Sequence, residues 1–173
     1  KSIAQIAKLE NTPALEIVEV IERNGGASVV NFSMDPEDIR FVMSFPWVAT
    51  ASDGRAYLPG ADKPHPRSYG TFPRKISLFA QQEKIISVGH AIRSATGLPA
   101  EILGLKDRGT LKPNMVADIV VYDPTTLQEK ATFDDPHQYC VGIEYVFIGG
   151  ELAVYRGRPT GALHGHALKK PPR

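Results

Sequence analysis

Apolar residues recur at helical spacing in the first part of the chain. The stripe consists of Leu15, Val18 and Ile21. Thr12 and Pro13 predict the start of this helix, with a hydroxyl N-cap followed by proline at the first helical position. Residues 24–26 (Asn-Gly-Gly) predict its end, because such residues readily adopt the left-handed conformation that closes a helix. The spacing therefore predicts one amphipathic helix over residues 13–23.

Two short β-branched segments flank a second helix. Residues 27–32 and 47–51 have the composition of buried strands. Between them, Asp35-Pro36 opens a helix whose apolar face continues to Met43, and Pro46 ends it. A strand, a helix and a strand over so short a stretch predict a parallel crossover, the repeating unit of an α/β fold.

The middle of the chain is predicted to be a long loop followed by helices. Residues 55–73 are rich in proline and charge, and loops of this length in compact proteins are usually functional or disordered. Helices are predicted over residues 75–83 and 88–96, the second with Ser87 as its N-cap. A short third helix is predicted from Pro99 to Gly104.

From Gly109 onward the pattern changes to β. Strands are predicted over residues 118–122, 143–148 and 151–155. Gly149-Gly150 predicts a tight hairpin between the last two, because both central residues can take a positive φ. We therefore predict a boundary near residue 105, with residues 1–104 in one domain and residues 105–173 in a small β subdomain and C-terminal tail.

Composition and charge exclude several classes of protein. Of the 173 residues, 42% are hydrophobic and the formal net charge is +1, which gives no electrostatic reason to expect nucleic acid or a membrane surface as a partner. No apolar stretch reaches the roughly 18 residues of a membrane span. The lone Cys140 cannot form an internal disulfide, and we interpret it as a small packed hydrophobe. We expect a cytoplasmic protein. The chain begins without Met and inside a segment of periodic apolar residues, so we also expect residues before it.

Two residues could carry chemistry. Asp53 follows the predicted strand 47–51, and side chains at that end of an α/β sheet point into the active-site mouth. An aspartate there can bind a metal or move a proton, but it can equally cap a turn. Arg67, in the adjoining loop, could bind a carboxylate through two parallel hydrogen bonds, or form an ordinary surface salt bridge.

Several motifs resemble the N-acyl-D-amino-acid deacylases (D-aminoacylases) of the amidohydrolase superfamily. Residues 48–54 (VATASDG) and 65–74 (HPRSYGTFPR) resemble the last barrel strand and the loop that follows it. Residues 96–105 (TGLPAEILGL) resemble the superfamily's closing helix, and residues 109–121 (GTLKPNMVADIVV) its return into a small β domain. Residues 133–139 (FDDPHQY) with 142–150 (GIEYVFIGG) resemble the D-aminoacylase ending.

The resemblance implies a fold and a site. The fold would be α/β, the C-terminal part of a (β/α)8 metal-dependent hydrolase barrel followed by a small β-sandwich subdomain. Asp53 would contact the metal, zinc in the complete enzyme, and shuttle the proton during amide hydrolysis. Arg67 would bind the α-carboxylate of the N-acyl amino acid. The histidines that the family places on earlier strands are absent here, and His164-Gly165-His166 is interpreted as tail.

We therefore predict that the complete enzyme hydrolyses N-acyl-D-amino acids to a carboxylate and a D-amino acid. The chain itself is expected to be an incomplete fragment, inactive alone, that associates with itself or with a missing N-terminal barrel segment. Two alternatives stay open: a cyclic amidase of the hydantoinase or dihydroorotase type, and a non-catalytic interaction module.

Overall fold

The computed structural model describes residues 1–60 and 62–169. The contacts divide the chain into two compact units, Lys1–Ser33 and Met34–Arg173. The boundary predicted near residue 105 lies within the second unit and stays a prediction.

The first unit is a pair of helices. Helix α1 (Ile3–Glu10) begins with a capping box, in which the Ser2 hydroxyl and the Gln5 side chain each accept a hydrogen bond from the other residue's backbone N–H. Helix α2 (Ala14–Arg23) follows the predicted stripe, and Asn24 ends it. The N-cap prediction for Thr12 is wrong: Pro13 occupies that position, and the Thr12 hydroxyl donates to the carbonyl of Glu10 instead.

Neither predicted β-branched segment forms a strand. Residues 27–32 lie outside any regular element and are exposed. In residues 47–51, the Thr50 N–H donates to the Ser94 carbonyl at 2.7 Å, but a helix carries that acceptor, so no strand ladder develops. A strand needs a neighbouring extended backbone to pair with, and the described residues place no strand beside either segment. The predicted parallel crossover is therefore wrong for the described chain, and no barrel is closed within it.

The helices of the second unit follow the capping signals. Helix α3 (Pro36–Met43) begins at Asp35, whose carboxylate accepts from the Glu37 N–H at 2.8 Å. Helix α5 (Val88–Ala95) begins at Ser87, whose hydroxyl accepts from the His90 N–H at 3.1 Å. Helix α6 (Gly97–Leu103) ends at Gly104 with a φ of 74°. These three helix predictions are confirmed. The one difference is that α6 begins at Gly97, two residues before the predicted start at Pro99.

Between α3 and α5 lies an unpredicted helix. Helix α4 (Arg67–Arg74) continues directly into a π-helix (Lys75–Gln82). The prediction of loop over residues 67–73 is wrong there, whereas a helix over residues 75–83 is confirmed. Pro73 lies inside α4, has no N–H to donate and perturbs the helical ladder, and the wider π turns begin two residues later. The Pro73 carbonyl accepts from the Ser77 hydroxyl at 2.9 Å.

The C-terminal part is an antiparallel meander. Strands β1 (Ile119–Tyr122), β2 (Ile143–Ile148), β3 (Glu151–Tyr155) and β4 (Arg158–Pro159) form one sheet in the order 1-2-3-4. The Gly149-Gly150 turn has φ values of 60° and 90°, as the hairpin prediction requires. The three strand predictions after residue 109 are confirmed to within a residue. The described residues form this single sheet, so the second layer of the predicted β-sandwich is not among them.

The core of the second unit lies among its helices. Ala80, Ile86 and Ala91 are buried, and Met43, Ile76 and Val88 pack against them. This cluster joins α3, the π-helix and α5, and so supports the chain on both sides of residues 47–66. None of the described helices has the length and apolar character needed to cross a membrane.

Candidate functional site

The structure brings the two sequence-predicted site residues together. The Arg67 Nη2 lies 2.7 Å from the Asp53 Oδ2, with side chains 43% and 83% exposed respectively. Asp53 has a φ of 48°, in the left-handed region that aspartate tolerates better than most residues. Arg67 is the first residue of α4. A carboxylate and a guanidinium thus face solvent side by side, although the residues are well separated in sequence.

Gly54 allows this approach. A Cβ at Gly54 would lie 2.9 Å from the Cα of Ser68, closer than real side-chain carbons come to backbone. The Ser68 hydroxyl accepts from the Arg55 N–H at 3.3 Å, and the Ser52 hydroxyl accepts from the Gly54 N–H at 3.2 Å. The turn after Asp53 therefore lies directly on the first turn of α4. The Asp-Gly pair was the sequence signal for this turn.

His65 caps the helix that carries Arg67. Its Nδ1 accepts from the Arg67 N–H at 3.0 Å. In the neutral ring the proton is therefore on Nε2. Burial and the neighbouring Arg67 lower the pKa of His65, with Asp53 opposing them. A lowered pKa keeps the ring neutral and its acceptor nitrogen available. His65 therefore supports the helix start rather than supplying a charge to the site.

A buried lysine supports the segment that leads to Asp53. Lys75 is 6% exposed, and its ammonium donates to the Thr50 hydroxyl at 2.5 Å and to the Ser94 hydroxyl at 2.8 Å. Desolvation lowers the pKa of Lys75. Sequence reasoning missed this cluster, because its three members come from separate parts of the chain and no local motif links them.

The described residues do not by themselves fit a zinc ion. Among residues 1–60 and 62–169, no three His, Cys, Asp or Glu side chains lie close enough together to hold a metal. Zinc in proteins takes three or four such ligands, and Asp53 is here paired with a guanidinium instead. The metal-binding role predicted for Asp53 therefore stays a prediction. Cys140 is partly buried and burial raises the pKa of its thiol, in keeping with its interpretation as a packed side chain.

Comparison with known proteins decides the family. The profile of the amidohydrolase family matches residues 1–154. This chain belongs to the amidohydrolase family. Among curated relatives from Alcaligenes xylosoxydans xylosoxydans, it is 34% identical over 152 residues to a D-aminoacylase and 37% identical over 142 residues to an N-acyl-D-aspartate deacylase. These alignments cover 88% and 82% of this chain but 31% and 28% of the relatives, so the chain spans about a third of their length.

Solved structures of the same family have a similar fold. A crystal structure of D-aminoacylase superposes with a TM-score of 0.82 at 31% identity, over 92% of this chain and 32% of that one. An N-acyl-D-glutamate deacylase from Bordetella bronchiseptica, solved with zinc and a phosphonate mimic of the tetrahedral intermediate, superposes with a TM-score of 0.79 at 30% identity, over 95% of this chain and 34% of that one. A further D-aminoacylase structure is described in terms of a binuclear metal centre. The amidohydrolase chain described here is thus a mixed α/β segment that matches part of the D-aminoacylase structure.

Proposed function

We propose that the full-length gene product carrying this chain hydrolyses the amide bond of N-acyl-D-amino acids, giving a carboxylate and a free D-amino acid. The single observation that carries the proposal is the solvent-facing pair of Asp53 and Arg67 in an amidohydrolase. The deacylase relatives, at 34% and 37% identity, support this substrate class.

Arg67 would bind the substrate carboxylate. Its ion pair with Asp53 uses Nη2, and the side chain is 43% exposed, so a guanidinium edge can be reached from solvent. Guanidinium groups bind carboxylates through two parallel N–H donors, which sets both position and angle. Holding the carboxylate in this way would orient the neighbouring amide toward Asp53.

Asp53 would move the proton. Its carboxylate would accept a proton from the attacking water as the new C–O bond forms, and would deliver that proton to the leaving nitrogen as the C–N bond breaks. The exposure of Asp53 supports this role because both substrate and water can reach it.

No step is assigned to a metal, since the described residues do not form a metal site. The zinc requirement stays a prediction, to be tested by chelation.

A second candidate is cyclic amide hydrolysis. A dihydroorotase from Lactobacillus acidophilus is 30% identical over 74 residues, which is 43% of this chain and 17% of that relative. This shorter match supports the cyclic amidase less well than the deacylases support the linear one. A non-catalytic module is the remaining alternative.

A substrate panel distinguishes these functions. The full-length gene product, with zinc supplied, is assayed for release of free amine from N-acetyl-D-amino acids and their L-enantiomers, and for ring opening of dihydroorotate and hydantoins to the carbamoyl amino acid. We expect turnover of the D-series, loss on chelation and recovery with zinc. Turnover of the cyclic substrates alone would favour the cyclic amidase, and no turnover would favour the module. The isolated 173-residue chain, expected to be inactive, is run in the same assay.

A further inference from the structure

The loop that joins Asp53 to Arg67 is fastened to residues 133–139, far along the chain. The Lys63 ammonium donates to the Asp134 carbonyl at 2.8 Å. The rings of His65 and Phe133 meet edge to face, with centroids 4.9 Å apart. These contacts hold the outer part of the loop against a segment that carries none of the proposed catalytic residues.

The centre of this attachment is a hydrogen-bonded cluster, which we call the latch, formed by Tyr69, His137 and Asp62. The Tyr69 hydroxyl lies 2.8 Å from the His137 Nδ1 and 3.3 Å from the Tyr57 carbonyl. The His137 Nε2 lies 3.0 Å from the Asp62 carbonyl and 3.4 Å from the Asp62 Oδ1. The latch thus joins helix α4, the loop before it and the distant segment 133–139.

The direction of two of these bonds follows from the groups. A carbonyl oxygen can only accept, so the His137 Nε2 carries the proton that binds Asp62. Burial is the main cause that raises the pKa of Tyr69, and the nearby Tyr139 and Asp62 raise it further. The hydroxyl therefore keeps its proton and can donate it. The hydroxyl has one proton to give: with Nε2 carrying the ring proton, the His137 Nδ1 at 2.8 Å accepts it, and the Tyr57 carbonyl at 3.3 Å is the alternative acceptor.

The latch is better placed than the Asp53–Arg67 ion pair to hold the site in one geometry. An exposed ion pair contributes little to stability because water competes for both charges. The Tyr69–His137 bond is partly buried, with the His137 side chain only 14% exposed, and bonds sheltered from water are more costly to break. Tyr69 lies two residues after Arg67 in the first turn of α4, while Tyr57 and Asp62 lie on the loop that leaves Asp53. Movement of the latch would therefore move one site residue relative to the other.

We propose that Tyr69 and His137 are positioning residues that hold Arg67 in place for the substrate carboxylate. This inference rests on the proposed function for the identity of the ligand. It does not require either residue to touch the substrate, and their effect is exerted through the placement of α4 against the loop.

The first test measures the loop itself and does not depend on activity. In the full-length gene product, Tyr69→Phe keeps the ring but removes the hydroxyl, and loss of its hydrogen bond should speed amide hydrogen exchange in peptides covering residues 55–66 by about fivefold. Tyr139→Phe is the matched control: its ring contacts the Tyr69 ring at 5.7 Å, and its hydroxyl makes no hydrogen bond within the described part of the chain. Unchanged exchange in Tyr69→Phe, or equal acceleration in the control, would overturn the latch.

The second test asks whether the latch acts through Arg67. We expect Tyr69→Phe to raise the KM for an N-acyl-D-amino acid by about fivefold with little change in kcat. The corresponding substrate with its carboxylate converted to an amide should show no such rise. An equal effect on both substrates, or an effect on kcat alone, would contradict positioning through Arg67.

A double mutant checks that the two residues act as one unit. Tyr69→Phe with His137→Gln should raise KM no more than the larger of the two single changes, because each already breaks the same contact. Fully additive effects would show that they act separately and would overturn their joint role. If the wild-type protein hydrolyses no N-acyl-D-amino acid, the proposed function fails and with it the role in substrate placement, whereas the hydrogen-exchange result still decides whether the latch exists.

Discussion

The meander and the site loop are held together by different kinds of interaction. In the meander, β1, β2 and β3 pair through backbone ladders, and β2 and β3 are joined by a two-residue turn. The site loop, from residue 52 to residue 66, has no ladder among its described residues. It is held by side chains, such as the Lys63 and His137 contacts to partners more than 60 residues away in sequence. The comparison shows that a regular element can arise from nearby backbone while a site geometry depends on distant side chains.

This difference predicts where mutations will act. Changes in the site loop should alter activity with little effect on folding, since its functional groups face solvent. Changes at close backbone contacts in the C-terminal part should alter folding. Four substitutions test this separation, from the largest expected effect to the smallest.

Asp53→Asn should lower the kcat of the full-length gene product by at least about a hundredfold, because the amide cannot take up and deliver the proton. Thermal stability should hardly change, since asparagine also tolerates a positive φ and the lost ion pair is exposed. Asp38→Asn, an exposed acid in the first turn of α3, is the control and should keep full activity. Near-normal turnover of Asp53→Asn would make the catalytic assignment wrong.

Gly142→Ala should destabilise the protein by about 3 kcal/mol. A Cβ there would lie 2.5 Å from the Cα and N of Leu127, and Gly142 has a φ of 84°. Urea unfolding followed by circular dichroism measures the change. Gly165→Ala is the matched control, because its Cβ would meet nothing within 4 Å. A loss below about 1 kcal/mol would show that this backbone contact can relax easily.

Lys75→Met tests the buried support beneath the Asp53 segment through pH. The folded-state pKa of Lys75 is lowered, so between that pKa and the unfolded value of 10.5 the unfolded chain binds more protons. Stability of the wild type should therefore rise with pH in that window, by at most about 1.4 kcal/mol per pH unit.

The Lys75→Met variant lacks this pH-dependent contribution to stability. The unfolding free energy of the wild type minus that of Lys75→Met should thus rise with pH in the window just below pH 10.5, as measured by urea titrations at several pH values. Lys112→Met, the loss of an exposed amine, controls for the general effect of removing a lysine. A difference that stays constant with pH would mean that Lys75 is not desolvated in solution.

Gly149→Ala should have the smallest effect, about 1 kcal/mol, because the hairpin turn holds this residue at a φ of 60°. Space is not limiting, as a Cβ there would meet nothing within 4 Å. Gly149→Asn should cost less than Gly149→Ala, since asparagine adopts this conformation more easily. Equal unfolding free energies for the two variants would show that the turn adjusts its backbone.

Local signals in the sequence predicted part of the candidate site. Asp53-Gly54 indicated a sharp turn, and the structure places that turn against Arg67. The Tyr69–His137 contact and the Lys75 cluster were not predictable, because each joins residues that only folding brings together. The α4 helix was missed for a related reason: its Gly70 and Pro73 are typical of loops, and the tight packing of Gly70 against Glu129, where a Cβ would lie 3.0 Å from the carboxylate, exists only in the folded chain.

By itself the sequence determined the elements whose causes are local. Ser87 and Asp35 cap their helices through groups two or three residues away, and Gly149-Gly150 closes its hairpin within one turn. Only the tertiary structure decided whether residues 27–32 and 47–51 would form strands. Their composition favours strands, but neither segment has a neighbouring strand to pair with, so neither becomes one. The tertiary structure also decided which carboxylate faces which guanidinium. The physical reason is that capping and turn energies depend on adjacent residues, whereas strand pairing and site geometry require partners that only the folded chain supplies.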